Sequence, residues 1–395
     1  MDAYIFDGIR TPFGRHGGAL SSLRPDDLVA HTIKTLVARA AFAPREIDDV
    51  IVGCATQSGE DSRNVGRRAA LLAALPVEIP GTTVNRLCAS GLEAIVVAAR
   101  TVAAGEADVI IAGGVESMSR APFVMGKAET PFSREIKIFD TTIGSRFPNP
   151  RVTEQYGDHG MPETAEEVAR DLGIGREASD RFALASQQHC AKAREERFFD
   201  GEIVPVTLTT KTPTTISEDE PPRADTSLEK LARLKPILGG VVTAGNASGI
   251  NDGAAAVVVG SRALADRTGM RPLARIVASA AVGVEPRVMG LGPVPASKKV
   301  LARAGLTLAD MDVIEINEAF APQVLGCLKL MELCDDDSRI NPNGGAIAIG
   351  HPLGASGARL LLTAVRQLHR AQARYALVTL CIGVGQGLST VIERV

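Results

Sequence analysis

The chain has 395 residues, 45% hydrophobic and 23% charged, the balance of a soluble globular protein large enough for two or three domains. Its 43 basic and 46 acidic side chains leave a formal charge of -3, and with no Trp, 3 Tyr and 11 Phe there is neither a basic surplus for phosphates nor much to stack on bases, which argues against a nucleic-acid partner. The longest apolar runs, Ala94 to Ala99 and Ala254 to Val259, fall short of a bilayer span, so no membrane partner is expected either. The opening residues lack a basic-then-apolar leader and the chain ends Ile-Glu-Arg-Val, so the expected compartment is the cytosol. Six cysteines without a Cys-x-x-Cys pair suggest neither a disulfide scaffold nor a metal site, and in a reducing compartment each is a small core residue or a reagent.

In chain order the pattern is α/β. Helical stretches are predicted over Asp27 to Ala41, Gly66 to Leu75 and Gly91 to Ala104. Between and after them Asp49 to Gly53 and Asp108 to Gly114 are short β-branched runs ending in glycine, as strands buried on both faces do. The stretch Ser119 to Gly249 breaks the rhythm. Its Pro-rich and polar pieces, including Thr209 to Thr226, predict a mostly irregular insertion with helix over Glu163 to Asp171 and Ala178 to Phe199, read as a lid over the site. A strand over Ala254 to Val259 follows, then a strand over Asp312 to Ile316, a helix over Gly357 to His369 and a strand over Tyr375 to Cys381.

The two halves also match each other. Leu87-Cys-Ala-Ser-Gly91 aligns with Leu353-Gly-Ala-Ser-Gly357, and upstream Ile47 to Ile51 aligns with Asp310 to Ile314, in the same order and at nearly the same offset. An internal duplication follows, with two similar α/β domains facing each other.

Four positions are suited to chemistry. Cys88 stands before a helix N-terminus, where unpaired N–H groups and the helix dipole are expected to lower its pKa and to hold an oxyanion; a small residue filling a strand–helix corner is the alternative. His351, in the tight Gly350-His-Pro-Leu-Gly354 loop before the matching helix, is the best general-base candidate, against an exposed loop histidine. Cys381 ends a strand and opens Cys-Ile-Gly-Val-Gly-Gln-Gly387, whose N–H groups are open to a ligand; a phosphate cradle is weak there and an inert buried thiol remains the alternative. Asn317 emerges at a strand's C-terminal end, where α/β folds place ligands, or satisfies its own turn. The small, polar run Thr243 to Gly253 fits an extended ligand lying on the backbone, or a solvent turn.

These motifs resemble the thiolase family over essentially the whole chain: Arg10-Thr-Pro-Phe-Gly14, Asn85 to Gly91, Gly113 to Ser119, Thr243 to Gly249, Asn317-Glu-Ala-Phe320, Gly350 to Gly354 and Cys381-Ile-Gly383. The resemblance implies a duplicated five-layered αβαβα fold, with residues 1–118 plus 250–270 as one domain, 271–395 as the other, and 119–249 as an inserted coenzyme A-binding loop domain. It implies coenzyme A as co-substrate, acyl-CoA as substrate, no permanently bound cofactor or metal, and a homodimer or homotetramer. Position by position, Cys88 matches the acylated nucleophile, His351 its base, Cys381 the second acid/base and Asn317 the holder of an oxyanion-hole water. Backbone N–H groups of Cys88 and Gly383 match the other oxyanion hole. Met161, Arg223, Ser248, Ala319 and Phe320 match positions lining the coenzyme A or acyl tunnel. Arg120 to Glu129, Asp140 to Gly144 and Met161 to Ala165 look most like 3-oxoadipyl-CoA thiolases, and Arg120, Lys127 and Arg146 are cations available to a distal carboxylate. The alternatives are a biosynthetic acetoacetyl-CoA thiolase, a ketoacyl synthase and a non-catalytic scaffold.

Overall fold

The computed structural model describes residues 2–208 and 213–395. The first half runs β1 (Tyr4–Arg10), β2 (Gly14–Arg15), α1 (Pro25–Ala38), β3 (Asp49–Gly53), α2 (Val65–Leu72), β4 (Gly81–Val84), α3 (Ser90–Ala104) and β5 (Val109–Ser117). An excursion follows with β6 (Phe123–Met125), β7 (Ile138–Asp140), α4 (Pro150–Tyr156), α5 (Met161–Leu172), α6 (Arg176–Glu195), β8 (Val206–Leu208), β9 (Thr214–Ile216) and α7 (Leu228–Ala232). The chain then continues through β10 (Asn251–Gly260), α8 (Arg262–Thr268), β11 (Ala274–Gly283), α9 (Pro293–Ala304), β12 (Val313–Ile316), α10 (Ala321–Leu330), α11 (Ala346–Ile349), α12 (Leu353–Ala371), β13 (Tyr375–Ile382) and β14 (Gln386–Arg394).

The strand order displays the duplication. In the first half it is β4-β3-β5-β10-β1, with β4, β3 and β5 parallel and β10 and β1 antiparallel. In the second it is β12-β13-β14-β11, with β12 and β13 parallel and β14 and β11 antiparallel; a parallel bridge from Ile314 to Ile340 stands where β4 stands in the first. A short pairing of Tyr4 and Ile5 with Arg275 and Ala274 joins the two sheets edge to edge.

Helices α3 and α12 lie between the sheets, α1 and α2 cover one outer face, and α9 and α10 the other, which gives five layers. Because β5 and β10 have helices on both faces, every residue of each is buried, and apolar runs replace polar alternation. The central layer needs glycine where its helices cross. A Cβ on Gly91 would lie 2.4 Å from the carbonyl oxygen of Gly354, and one on Gly357 would lie 2.5 Å from the nitrogen of Leu92. The matching pentapeptides therefore meet at the crossing, each start of helix against the other.

The excursion is more ordered than its composition suggests. Beyond the two expected helices it holds α4, α7 and the hairpins β6–β7 and β8–β9. Strands of three residues are too short to show an alternating apolar signal, which is why sequence periodicity passes over them; of the polar run 209–226, residues 209–212 lie outside the described ones. Arg10 fastens the excursion to the sheet: fully buried, it donates from Nε to Glu202 at 2.6 Å and from Nη1 and Nη2 to Asp219 at 2.6 and 2.8 Å. The helix spanning Leu87–Ala104 is long and apolar enough by composition to cross a membrane, and here it fills the central layer, with Leu92, Ile95, Val96 and Val102 buried in the core.

Candidate active site

Cys88 occupies a single 3-10 turn, Leu87–Ala89, that leads into α3. Leu87 adopts φ 45°, a left-handed conformation unusual for a branched side chain. Asn85 holds it there, accepting from Leu87 N at 2.8 Å while donating to the Ala55 carbonyl at 3.0 Å. Ser90 closes the turn by donating to Leu87 O at 2.7 Å and accepting from Arg86 N at 2.9 Å. The N–H groups of Gly383 and of Cys88 itself face the thiol.

The expected low thiol pKa is not what the structure gives. Burial pushes Cys88 up to about 11, and the two N–H groups recover only part of that cost. Cys88 keeps part of its surface open, yet desolvation outweighs the helix terminus because a second helix packs across the start of α3 and removes most water from the sulfur.

His351 is 5% exposed, and its ring is fixed at both nitrogens. Ser356, in the first turn of α12, donates its single proton to Pro352 O at 2.9 Å, so at 2.6 Å from Nδ1 it accepts the imidazole N–H. That tautomer leaves Nε2 with a lone pair, and Nδ2 of Asn317 approaches it at 3.3 Å. Asn251 Oδ1 accepts the His351 backbone N–H at 2.8 Å. It fits closely under Gly350, whose φ of 109° and lack of a side chain the turn requires. Burial lowers His351 to about 3, with the Arg359 cation adding to the effect, so the ring is neutral.

Cys381 is the penultimate residue of β13 and is buried with Phe320, Ala319, Met289 and Ala165. Burial pushes its thiol well above 9, and the neighbouring Cys88 raises it further. The β13–β14 hairpin turns through three residues between the paired Ile382 and Gln386, with Val384 (φ 64°) and Gly385 (φ 83°) both left-handed. Gly383 is the first residue of that turn; a Cβ there would lie 3.4 Å from Leu87 Cδ1 and 3.8 Å from Met161 Sδ. Met161, the first residue of α5, thus brings the excursion over the Cys88–Gly383 pair. Ser248 N donates to Ala319 O at 2.9 Å and Ala247 bridges Phe320, tying the run 243–249 to the same wall.

Arg223 stands apart from this cluster: its backbone donates to Gln187 Oε1 at 2.8 Å and its guanidinium faces Asp225. Of the three cations named for a distal carboxylate, Lys127 is exposed and the other two are engaged within the chain. Arg120 is engaged by both oxygens of Glu60, and Arg146 donates to Thr141 O at 3.3 Å.

Two functional positions escaped the sequence reading. Ser356 was legible only as the partner of Ser90 in the repeat, and both serines donate back to a carbonyl ahead of their helices, Ser90 to Leu87 three residues back and Ser356 to Pro352 four residues back. Glu116 is the other. Its carboxylate accepts from Ala55 N at 3.0 Å, Thr56 N at 2.9 Å and Gly354 N at 2.9 Å. Gly354 is the counterpart of Cys88, so the second copy of the helix-terminal anion site is filled by a carboxylate from within the chain.

The sequence matches the family described as "Thiolase, N-terminal domain" over residues 3–263 and "Thiolase, C-terminal domain" over residues 270–394. It is 59% identical to the 3-oxoadipyl-CoA/3-oxo-5,6-dehydrosuberyl-CoA thiolase of Escherichia coli strain K12, covering 100% of both chains. It is 58% identical to a beta-ketoadipyl-CoA thiolase of Acinetobacter baylyi, covering 100% of this chain and 99% of that one. The fold is similar to the crystal structure of the Bacillus anthracis acetyl-CoA acetyltransferase, with TM-score 0.94 and 38% identity over 100% of this chain and 99% of that one. With a duplicated five-layered fold whose helix crossing holds a cysteine, and with both thiolase domains matched end to end, the chain belongs to the thiolase family of acyltransferases.

Proposed function

We propose that the protein cleaves 3-oxoadipyl-CoA with coenzyme A, giving acetyl-CoA and succinyl-CoA through an acyl-Cys88 intermediate. The observation that carries the chemistry is a thiol faced by two N–H groups at the start of one helix, crossed at Gly91 and Gly354 by a second helix whose own start carries an imidazole with its free nitrogen set by Ser356. The dicarboxylic substrate is supported by the relatives of nearly 60% identity that are named for it.

In this reading His351 Nε2 takes the Cys88 proton as sulfur attacks the C3 ketone. The N–H groups of Cys88 and Gly383 hold the resulting oxyanion. The C2–C3 bond breaks, its electron pair passing to an enolate whose thioester oxygen is held by His351 and an Asn317-bound water. Cys381 gives its proton to C2, releasing acetyl-CoA. A thiol held protonated by burial suits that task, because a carbanion needs an acid that keeps its proton until the bond breaks. Cys381 then deprotonates coenzyme A, whose sulfur takes the acyl group from Cys88, and His351 returns the proton. Coenzyme A is a co-substrate here, and no step draws on a metal.

We assign residues 119–249 to coenzyme A binding, with Arg223 and Ser248 on its nucleotide and pantetheine path and Met161, Ala319 and Phe320 on the acyl wall, between domains 1–118 plus 250–270 and 271–395. A homodimer or homotetramer is supported by the apolar excursion: Phe123, Phe132, Ile136 and Ile138 are exposed, Phe132 by 99%. Unpaired thiols support a cytoplasmic setting. Steady-state rates on 3-oxoadipyl-CoA and acetoacetyl-CoA, each with coenzyme A, test the substrate. Faster turnover of the dicarboxylic substrate is expected; faster turnover of acetoacetyl-CoA would favour a short-chain thiolase.

A further inference from the structure

Beneath the His351–Asn317 pair lies a second pair with nearly the same separation. Asn317 Nδ2 and His351 Nε2 are 3.3 Å apart, and Glu315 Oε2 and Arg359 Nη1 are 3.5 Å apart. Glu315 precedes Asn317 by two residues of extended chain, so both leave the same face; the ladder of β12 on β13 continues as far as Asn317 N, which donates to Thr379 O at 3.0 Å. Arg359 follows Ser356 by three residues on α12 and shares its helix face, and Ser356 is the residue that holds His351. The Glu315–Arg359 pair is therefore one strand pleat and about one helical turn behind the site.

Both side chains are wholly buried. Among the described residues, no group hydrogen-bonds Nε, Nη1 or Nη2 of Arg359, either oxygen of Glu315, or Oγ1 of Thr363 one turn further along α12. A structural ion pair in this same chain is built differently, since Arg10 fits Glu202 and Asp219 with three charge-assisted hydrogen bonds. A desolvated guanidinium without such bonds is costly and makes a poor clamp, while its field in the interior is strong.

We propose that Arg359 is a positioning residue for the thiolase reaction: its cation, set behind His351, opposes protonation of the imidazole and keeps Cys88 and His351 as thiol and neutral ring until a substrate carbonyl draws the proton across. The inference rests on the assignment of His351 as the base of Cys88. Burial pushes the Glu315 carboxyl up to about 8 and pulls the Arg359 guanidinium down, each against the attraction of the other; the guanidinium starts so far above neutral pH that it keeps its charge, while the carboxyl is largely protonated there and does not cancel it. The other charges facing Arg359 are Arg10 from β1, Glu202 after α6 and Glu318 after β12. Arg10 and Glu202 bind each other, and Glu318 is held by Ser186, Asn341 and the Ile347 N–H. From β5, Glu116 caps α12 at Gly354.

The test is the rate at which iodoacetamide alkylates Cys88, located by peptide mass spectrometry, at about pH 6 and about pH 9 in the full-length wild type, Glu315→Gln, and the Glu315→Gln/Arg359→Gln double variant, which strands no charge. Without the cation the thiolate–imidazolium pair forms more readily, so the ratio of the rate at pH 6 to that at pH 9 rises about fivefold in the double variant. Glu315→Gln keeps the cation uncancelled at both pH values, whereas the wild-type carboxyl ionises by about pH 9, so the double variant is read against Glu315→Gln, in which the fivefold rise is absent. A pocket that is only loosened reacts faster at both pH values, and an unchanged ratio in the double variant overturns the proposal, as does an equal rise in Glu315→Gln. Should the double variant fail to fold, Arg359→Lys decides: a wild-type ratio upholds the role of charge and a raised one refutes it. A wild-type Cys88 unreactive at both pH values would instead overturn the nucleophile assignment itself.

Discussion

Ser356 has one proton to give and gives it to a backbone carbonyl, and that choice decides which imidazole nitrogen of His351 is basic. Replacing it by alanine frees Nδ1 from its side-chain partner, and the ring is no longer held in one tautomer. Ser356→Ala is expected to lower kcat about 10²-fold with little change in KM, because the loss falls on the transition state rather than on coenzyme A binding. A kcat within twofold of wild type would show that the tautomer is set elsewhere. Glu116 and Asn85 act in the same indirect manner, one by capping the idle helix terminus and the other by holding Leu87 in its left-handed conformation.

At the scale of elements, the crossing of α3 and α12 places the chemistry, and glycine makes the crossing possible. A methyl group at Gly91 meets backbone rather than a yielding side chain, at 2.4 Å from Gly354 O. Gly91→Ala is therefore expected to destabilise the fold by roughly 3 kcal/mol, read from its urea midpoint, and to reduce activity in protein that remains folded. An unchanged midpoint would mean that the two helices can part without cost. Much of this was legible in sequence. The strand Asp49 to Gly53 is found with those bounds, and the paired pentapeptides announced two helix starts that meet. Strands β1, β11 and β14 were not, since their neighbours rather than an alternating pattern determine their burial, and the excursion's short hairpins have no periodicity to read. The thiol pKa of Cys88 was misjudged for a similar reason: a helix start is visible in sequence, but the depth at which another helix buries it is not.

The whole molecule is an interior rich in thiols. Burial pushes Cys88 up to about 11 and Cys190 and Cys327 up to about 12, and it raises Cys54 and Cys381 well above 9. Each is an acid whose folded pKa exceeds its unfolded value. The unfolded chain therefore releases these protons first as pH rises past about 9, and the stability present below that point is lost towards the folded pKa. Every such thiol contributes about 1.4 kcal/mol per pH unit in that window. The urea midpoint should fall between about pH 8 and pH 10, and less steeply in Cys327→Ala; an equal slope in the two proteins would show that this thiol does not titrate on unfolding.

The account stands on Cys88 as the atom that takes the acyl group. Wild-type protein mixed with 3-oxoadipyl-CoA in the absence of free coenzyme A, quenched in acid and digested, should yield a succinyl thioester on the peptide containing Cys88, discharged when coenzyme A is added before the quench. Acyl label on another residue, or turnover that persists in Cys88→Ser, would contradict it.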